Sequence, residues 1–164
     1  FPNLTAPKLG APNLAPVDWG VLDYFGWVHP DGHHGFVVMS VQDKLRGLKL
    51  RRMLNPSARA RTHMCSWCHH VYRSRGTAMF STGVTGSQGR HRIGNYICKN
   101  LDCSVRIRNL TGDPPTYLPE TIDLRHKIWR LETTVSSFMA RANHLLITFS
   151  FNIDTCQSGI LFPH

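Results

Sequence analysis

The sequence predicts an α+β fold in which small antiparallel hairpins precede one long packing helix, and three observations carry that prediction. Short runs of β-branched or alternating residues occupy the chain before residue 100, as in Gly35 to Ser40 (GFVVMS). Two close cysteine pairs frame an insertion of hairpin size. From Thr121 to about His144, Leu124, Ile128, Leu131, Val135 and Phe138 recur at three- and four-residue steps, the period of a helix with one apolar face.

At 164 residues the chain has the size of one ordinary domain with extensions. Residues 1–16 hold four prolines and little charge, and read as an extended arm that is ordered only if something holds it. The domain proper is expected over 17–144. It opens on Trp19, Leu22, Tyr24, Phe25 and Trp27, core anchors on a short turn or helix running into a strand. The loop His29-Pro-Asp-Gly-His-His34 reads as exposed surface rather than a metal site. After the GFVVMS strand, a turn around Val41 to Lys44 leads into a second strand near Leu45 to Leu50, where Leu48 and Leu50 alternate with Lys49 and Arg51, so one face is buried and the other basic.

Asn55 to His63 is a polar, basic connector. Thr77 to Ser81 and Gly94 to Ile97 read as strands of a second hairpin with a flexible glycine-rich tip, Gly83 to Arg92. Asp102 stands where it could cap a helix over about Cys103 to Leu110, and Thr121 where it could cap the long helix. That helix should lay its apolar stripe on the hairpins. Ile147, Phe149, Phe151 and Ile153 alternate with polar residues like a strand, within a tail over 145–164 that has one charged residue, Asp154.

Charge is concentrated in the middle of the chain. Overall, 19 Lys and Arg against 10 Asp and Glu give +9 and a pI near 9.8. Between Lys44 and Arg108 stand 14 Lys or Arg and one acid, Asp102, a net +13. Such a field attracts an anionic partner and says nothing about fold. No uninterrupted apolar stretch reaches transmembrane length, and no secretory signal pattern is present, so no membrane partner is expected and a reducing cytoplasm is the expected setting. There, paired cysteines favour metal over disulfide.

The pairs are Cys65-Ser-Trp-Cys68 and Cys98-Lys-Asn-Leu-Asp-Cys103, separated by 29 residues. Each pair forms a knuckle that supplies two thiolates, and the chain between them brings the knuckles together, which is what tetrahedral Zn2+ requires. The arrangement is treble-clef-like. Replacement of one thiolate by His63, His69 or His70 stays open at this stage, and Cys156 lies outside the pattern. A redox reading of the first pair leaves the second without a role. Catalytic zinc keeps one position open for water, and four thiolates leave none. The glutamates, Glu120 and Glu132, lack the His-x-Glu spacing of a deaminase, and no phosphate loop, dinucleotide fingerprint or nucleophile elbow occurs. A non-enzymatic module without a small-molecule substrate is expected.

Met64-Cys-Ser-Trp-Cys68, Gly94-Asn-Tyr-Ile-Cys98 and Asp102-Cys-Ser-Val-Arg-Ile-Arg108, with Phe25-Gly-Trp27 upstream and the helix after Pro119-Glu-Thr121, carry a further signal. Over about Val17 to His144 this set resembles the treble-clef zinc-finger domain of elongation factor G-binding proteins, the FusB-type fusidic-acid-resistance proteins and their relatives. The resemblance implies Cys65, Cys68, Cys98 and Cys103 as zinc ligands. It also implies a domain that binds elongation factor G near the ribosome and, in resistance members, helps the drug-stalled factor leave. FusB-type proteins carry a helical domain before the finger, where this chain has a proline-rich arm and a hairpin. A second expectation is direct binding to ribosomal RNA. In it Arg73, Arg75, Arg90, His91, Arg92, Lys99, Arg106 and Arg108 meet phosphates, and Tyr72 or Trp67 stacks on a base.

Overall fold

The aromatic residues after Pro16 enter the structure through a single 3-10 turn, Trp19–Val21, whose capping Asp18 carboxylate accepts from the Gly20 N–H at 3.0 Å. The computed structural model describes residues 6–53, 62–112 and 114–143. Ahead of this turn, the arm read as extended contains one helical turn, α1 (Ala6–Leu9), and the Trp27 indole N–H donates to the Leu9 carbonyl at 3.0 Å. An interior aromatic thus anchors the end of this helical turn.

Three strands follow: β1 (Phe25–Val28), β2 (His34–Val41) and β3 (Lys44–Met53), joined in an antiparallel meander. Gln42 and Asp43 form the two-residue connection between β2 and β3, both at positive φ (51° and 57°). That is the primed turn whose twist matches right-handed strands. In β3 the expected alternation holds, with Leu48 and Leu50 buried and Lys49 and Arg51 exposed. Two short strands, β4 (His63–Met64) and β5 (Val71–Tyr72), pair around the first cysteine knuckle. β6 (Thr77–Gly83) and β7 (Arg92–Cys98) form the second long hairpin, which completes a five-stranded sheet of order β1-β2-β3-β6-β7.

The tip between β6 and β7, expected to be loose, is bonded within itself and to the end of the fold. Val84 N–H donates to the His91 carbonyl at 3.0 Å and Arg90 N–H to that of Ser87 at 3.0 Å. The Ser87 hydroxyl donates to Val84 O at 2.7 Å, and Thr85 N–H reaches Ala142 O at 2.8 Å.

Two helices close the domain, α2 (Cys103–Ile107) and α3 (Leu124–Asn143). α2 stops three residues before the expected Leu110. Asn109 takes a left-handed φ of 54°, while the N–H groups of Asn109 and Leu110 donate back to the carbonyls of Arg106 and Val105, both at 3.0 Å. This double return terminates a helix through a left-handed residue. The Asp102 carboxylate makes no capping bond; it turns to Arg106 instead. α3 begins at Leu124 rather than Thr121, because Asp123 is the cap and accepts from the His126 N–H at 2.9 Å.

One face of the sheet packs against α3. Val37, Leu50, Phe80 and Ile97 share a buried cluster with Leu131, Val135, Phe138 and Met139, and the Ser136 hydroxyl reaches the Met39 sulfur at 3.7 Å. Of the predicted stripe, Ile128 is partly buried and Leu124 remains exposed. On the other face Trp27 stacks on Phe36 at 5.2 Å. The alternating segment from Ile147, the tail, and connector residues 55–61 lie outside the described residues. Among the described residues, no helix is long and apolar enough to cross a membrane.

Candidate metal centre

Cys65 and Cys68 sit on the turn between β4 and β5, Cys98 ends β7 and Cys103 opens α2. All four are buried within the core cluster. Their sulfurs lie within 4.8 Å of one another, with Cys65 Sγ to Cys103 Sγ 3.7 Å and Cys68 Sγ to Cys98 Sγ 3.5 Å. A disulfide needs about 2.05 Å between sulfurs. Four thiolates at zinc–sulfur bonds of about 2.3 Å sit about 3.8 Å apart at tetrahedral corners. The arrangement therefore fits a closed metal site and not a cross-link. His63, His69 and His70 stand outside the four-residue cluster.

Each knuckle is built by backbone geometry. In the first, the N–H groups of Trp67 and Cys68 point at Cys65 Sγ (3.4 and 3.5 Å), joined from across the site by Cys98 N–H at 3.4 Å. His69 turns the chain in a left-handed conformation (φ 59°), and its N–H closes on the Cys65 carbonyl at 3.0 Å. In the second, Leu101 does the same (φ 60°), donating to the Cys98 carbonyl at 3.0 Å.

Two tyrosines complete the surround, and both were missed as supporting groups of the site in the sequence. The Tyr72 hydroxyl donates to Cys98 Sγ at 3.0 Å, and the Tyr24 hydroxyl accepts from the Cys103 N–H at 3.3 Å. Burial, then the negative sulfur of Cys98, push the Tyr72 hydroxyl far above its ordinary value, so it stays a neutral donor. Burial also pushes the Cys103 thiol well up. Burial opposes ionisation of Cys65 too, yet hydrogen bonds from Cys103, Cys68 and Cys98 outweigh it and bring this thiol well below its usual value. Such a cluster cannot carry four negative charges by itself; a divalent cation is what would allow the full thiolate set.

Tyr72 is fixed in place by Gly76, where an added Cβ would run into the ring. Gly76→Ala is expected to push Tyr72 off Cys98 and weaken metal retention about 10- to 100-fold, the usual cost of losing a group that orients a ligand. Competition against a chromogenic chelator measures this.

The structure divides the eight basic candidates into three sets. Arg106 and Arg108 are both engaged in ion pairs within the fold. Arg106 is 3% exposed, forms a two-point ion pair with Asp102 (Nη2 to Oδ2 2.5 Å) and lies over the Tyr72 ring. Arg108 grips the buried Asp23 carboxylate with two bonds of 2.7 Å. Arg90, His91 and Arg92 are exposed at the β6–β7 tip. Arg73, Arg75 and Lys99 stand together beside the metal knuckles, lining one cavity. Trp67 is buried against Tyr24 and Phe138, so it cannot meet a base. Behind the first knuckle Arg130 bonds both Glu120 oxygens at 2.7 Å and the Cys68 carbonyl at 3.4 Å.

A thiolate knuckle on a hairpin turn, facing a second pair at the start of a helix, defines a metal-binding finger of the treble-clef class. The chain belongs to the FBP C-terminal treble-clef zinc-finger family, whose model matches residues 4–142. Among solved structures, that of the fusidic acid resistance protein FusC is similar over 83% of this chain, with a TM-score of 0.50 and 18% identity. The chain spans 52% of the FusC chain, about half its length, and the likeness is one of fold. No curated protein matches.

Proposed function

We propose that this domain is a zinc-organised, non-catalytic docking module of the cytoplasm that binds elongation factor G at the ribosome. Assisting release of a drug-stalled factor is the activity its resemblance to resistance proteins implies. Membership of the FBP C-terminal family is the observation that carries this reading. The buried four-sulfur set supports zinc as the ion and leaves no open coordination position for catalysis. The exposed Arg90-His91-Arg92 tip, held by its bonds to Val84, Ser87 and Ala142, offers a pre-shaped cationic contact for an acidic or phosphate-bearing surface.

Capture of elongation factor G from ribosomes by the tagged domain, with and without nuclease, tests the partner directly. Capture that survives digestion supports factor binding; capture lost on digestion would replace the factor with RNA. Affinity should also fall steeply between about 50 and 200 mM salt as charged contacts release counterions. The double substitution Arg90→Ala and Arg92→Ala should lower the slope of log affinity against log salt by about two. Zinc content and thermal midpoint should stay unchanged, because neither arginine supports core or metal. Salt-insensitive binding, or a double variant that binds like the parent, removes the tip from the contact.

A further inference from the structure

The cavity of about 610 Å³ beside the metal knuckles is not accounted for by the finger's architecture. Its volume falls within the range of roughly 300–1,000 Å³ typical of ligand sites. Its lining includes His70 and Tyr72, at and just before β5, and the adjoining segment Thr116–Tyr117. The two segments are tied by two bonds, Val71 N–H to Thr116 Oγ1 and Tyr117 N–H to the Val71 carbonyl, each 2.9 Å. Lys99 joins through its backbone N–H, which donates to the Gly76 carbonyl at 3.0 Å. These bonds make the cleft a built feature rather than a gap between loose segments.

Its lining combines two chemistries. His70, Tyr72 and Tyr117 bring rings, and Tyr117 is 45% exposed with the Arg73 guanidinium 4.4 Å above its ring centroid. Arg73, Arg75 and Lys99 bring charge. Among the described residues of this lining the one carboxylate, Asp102, is already engaged by Arg106. An acidic protein face would be served by cations on open surface and has no use for rings around a cavity. A nucleotide uses both, with its base stacked on an aromatic face and its phosphate against the cations.

We infer that this cleft takes one nucleotide unit of a single-stranded RNA, its base stacking beside Tyr117 and its phosphate meeting Arg75 and Lys99. The inference goes beyond the proposed factor contact and does not rest on it. Tyr72 also couples the cleft to the finger, since the residue that walls the cavity donates to Cys98.

Fluorescence anisotropy of the zinc-loaded protein with labelled twelve-residue oligouridylate and oligoadenylate provides the test. Tyr117→Ala is expected to weaken binding roughly ten-fold, the loss of one stacked base, while Tyr117→Phe binds like the parent. Arg75→Ala with Lys99→Ala should weaken binding and lower its salt slope by about two. Equal affinity for uridine or adenosine monophosphate would overturn the strand assignment. Equal affinity for polyglutamate, or a Tyr117→Ala variant that binds RNA normally, would overturn the nucleotide assignment. Zinc content and thermal midpoint, unchanged in each variant, show that the fold is intact. Factor capture by Tyr117→Ala, measured separately, tells a failure of this inference from a failure of the proposed function.

Discussion

Cys98→Ser is expected to abolish metal binding and unfold the finger in the same step. A structural zinc contributes on the order of 10 kcal/mol or more to folding, whereas a domain has a net stability of only about 5–15 kcal/mol. Loss of the ion therefore consumes most or all of the margin. The site lies inside the fold: Cys98 is fully buried, and Trp67, between the first two ligands, packs edge-on against Phe138 of α3 at 5.5 Å. The parent should carry about one zinc per chain by metal analysis and lose its tertiary circular dichroism on treatment with a strong chelator. The variant should lack both signals from the start. A reduced, folded sample without metal would contradict the assignment of the cluster.

Arg108→Ala is expected to destabilise the domain by about 3 kcal/mol at neutral pH, because it strands a buried carboxylate. The Asp23 side chain is 4% exposed, and Arg108 meets both its oxygens. The expected fall in thermal midpoint is roughly 10 °C. Acid should partly rescue the variant. Burial first, and the charge of Asp23 second, already hold Glu132 above the usual glutamate value, while Arg108 opposes that shift. A carboxyl whose folded value is raised destabilises the fold once ionised, and the penalty disappears as pH falls through that value. Without Arg108 the shift grows, so the gap between variant and parent should narrow as pH is lowered from 7 toward 4.5. Denaturant titrations at the two pH values measure it; a gap that is constant with pH would mean that packing, not charge, is what was lost.

The metal centre was legible because coordination demands donors in close pairs, and that demand is written locally in Cys65 to Cys68 and Cys98 to Cys103. The long helix was legible from its period. Its start was not, since Thr121 and Asp123 are both competent caps and only the bond from the His126 N–H separates them. Arg106 and Arg108 read as surface because of the basic stretch around them. Asp102 lies only four residues from Arg106, but Asp23 lies 85 residues from Arg108, and no local pattern announces that pairing. Tyr24 and Tyr72 were hidden for the same reason. Their roles depend on chain reversals that bring residue 24 to residue 103 and residue 72 to residue 98.

The seam between β3 and β6 has a consequence for the order in which the chain assembles. The β1–β3 meander and the β6–β7 hairpin join neighbours in sequence, whereas the seam pairs Arg51 with Ser81 and Met53 with Met79, separations of 30 and 26 residues. Local pairings form first because little chain entropy opposes them. Once β6–β7 stands, Cys98 is opposite Thr77, and Cys68 is only nine residues before that strand. The ion can then link the two knuckles before the seam closes. This link shortens the sequence separation to be closed from 26, Met53 to Met79, to 12, Met53 to Cys65. Halving a loop lowers its closure cost by only about 0.6 kcal/mol. The order with the lowest closure cost is therefore hairpin, ion, seam, and the entropic advantage that places the ion before the seam is small beside what the ion contributes to the finished fold.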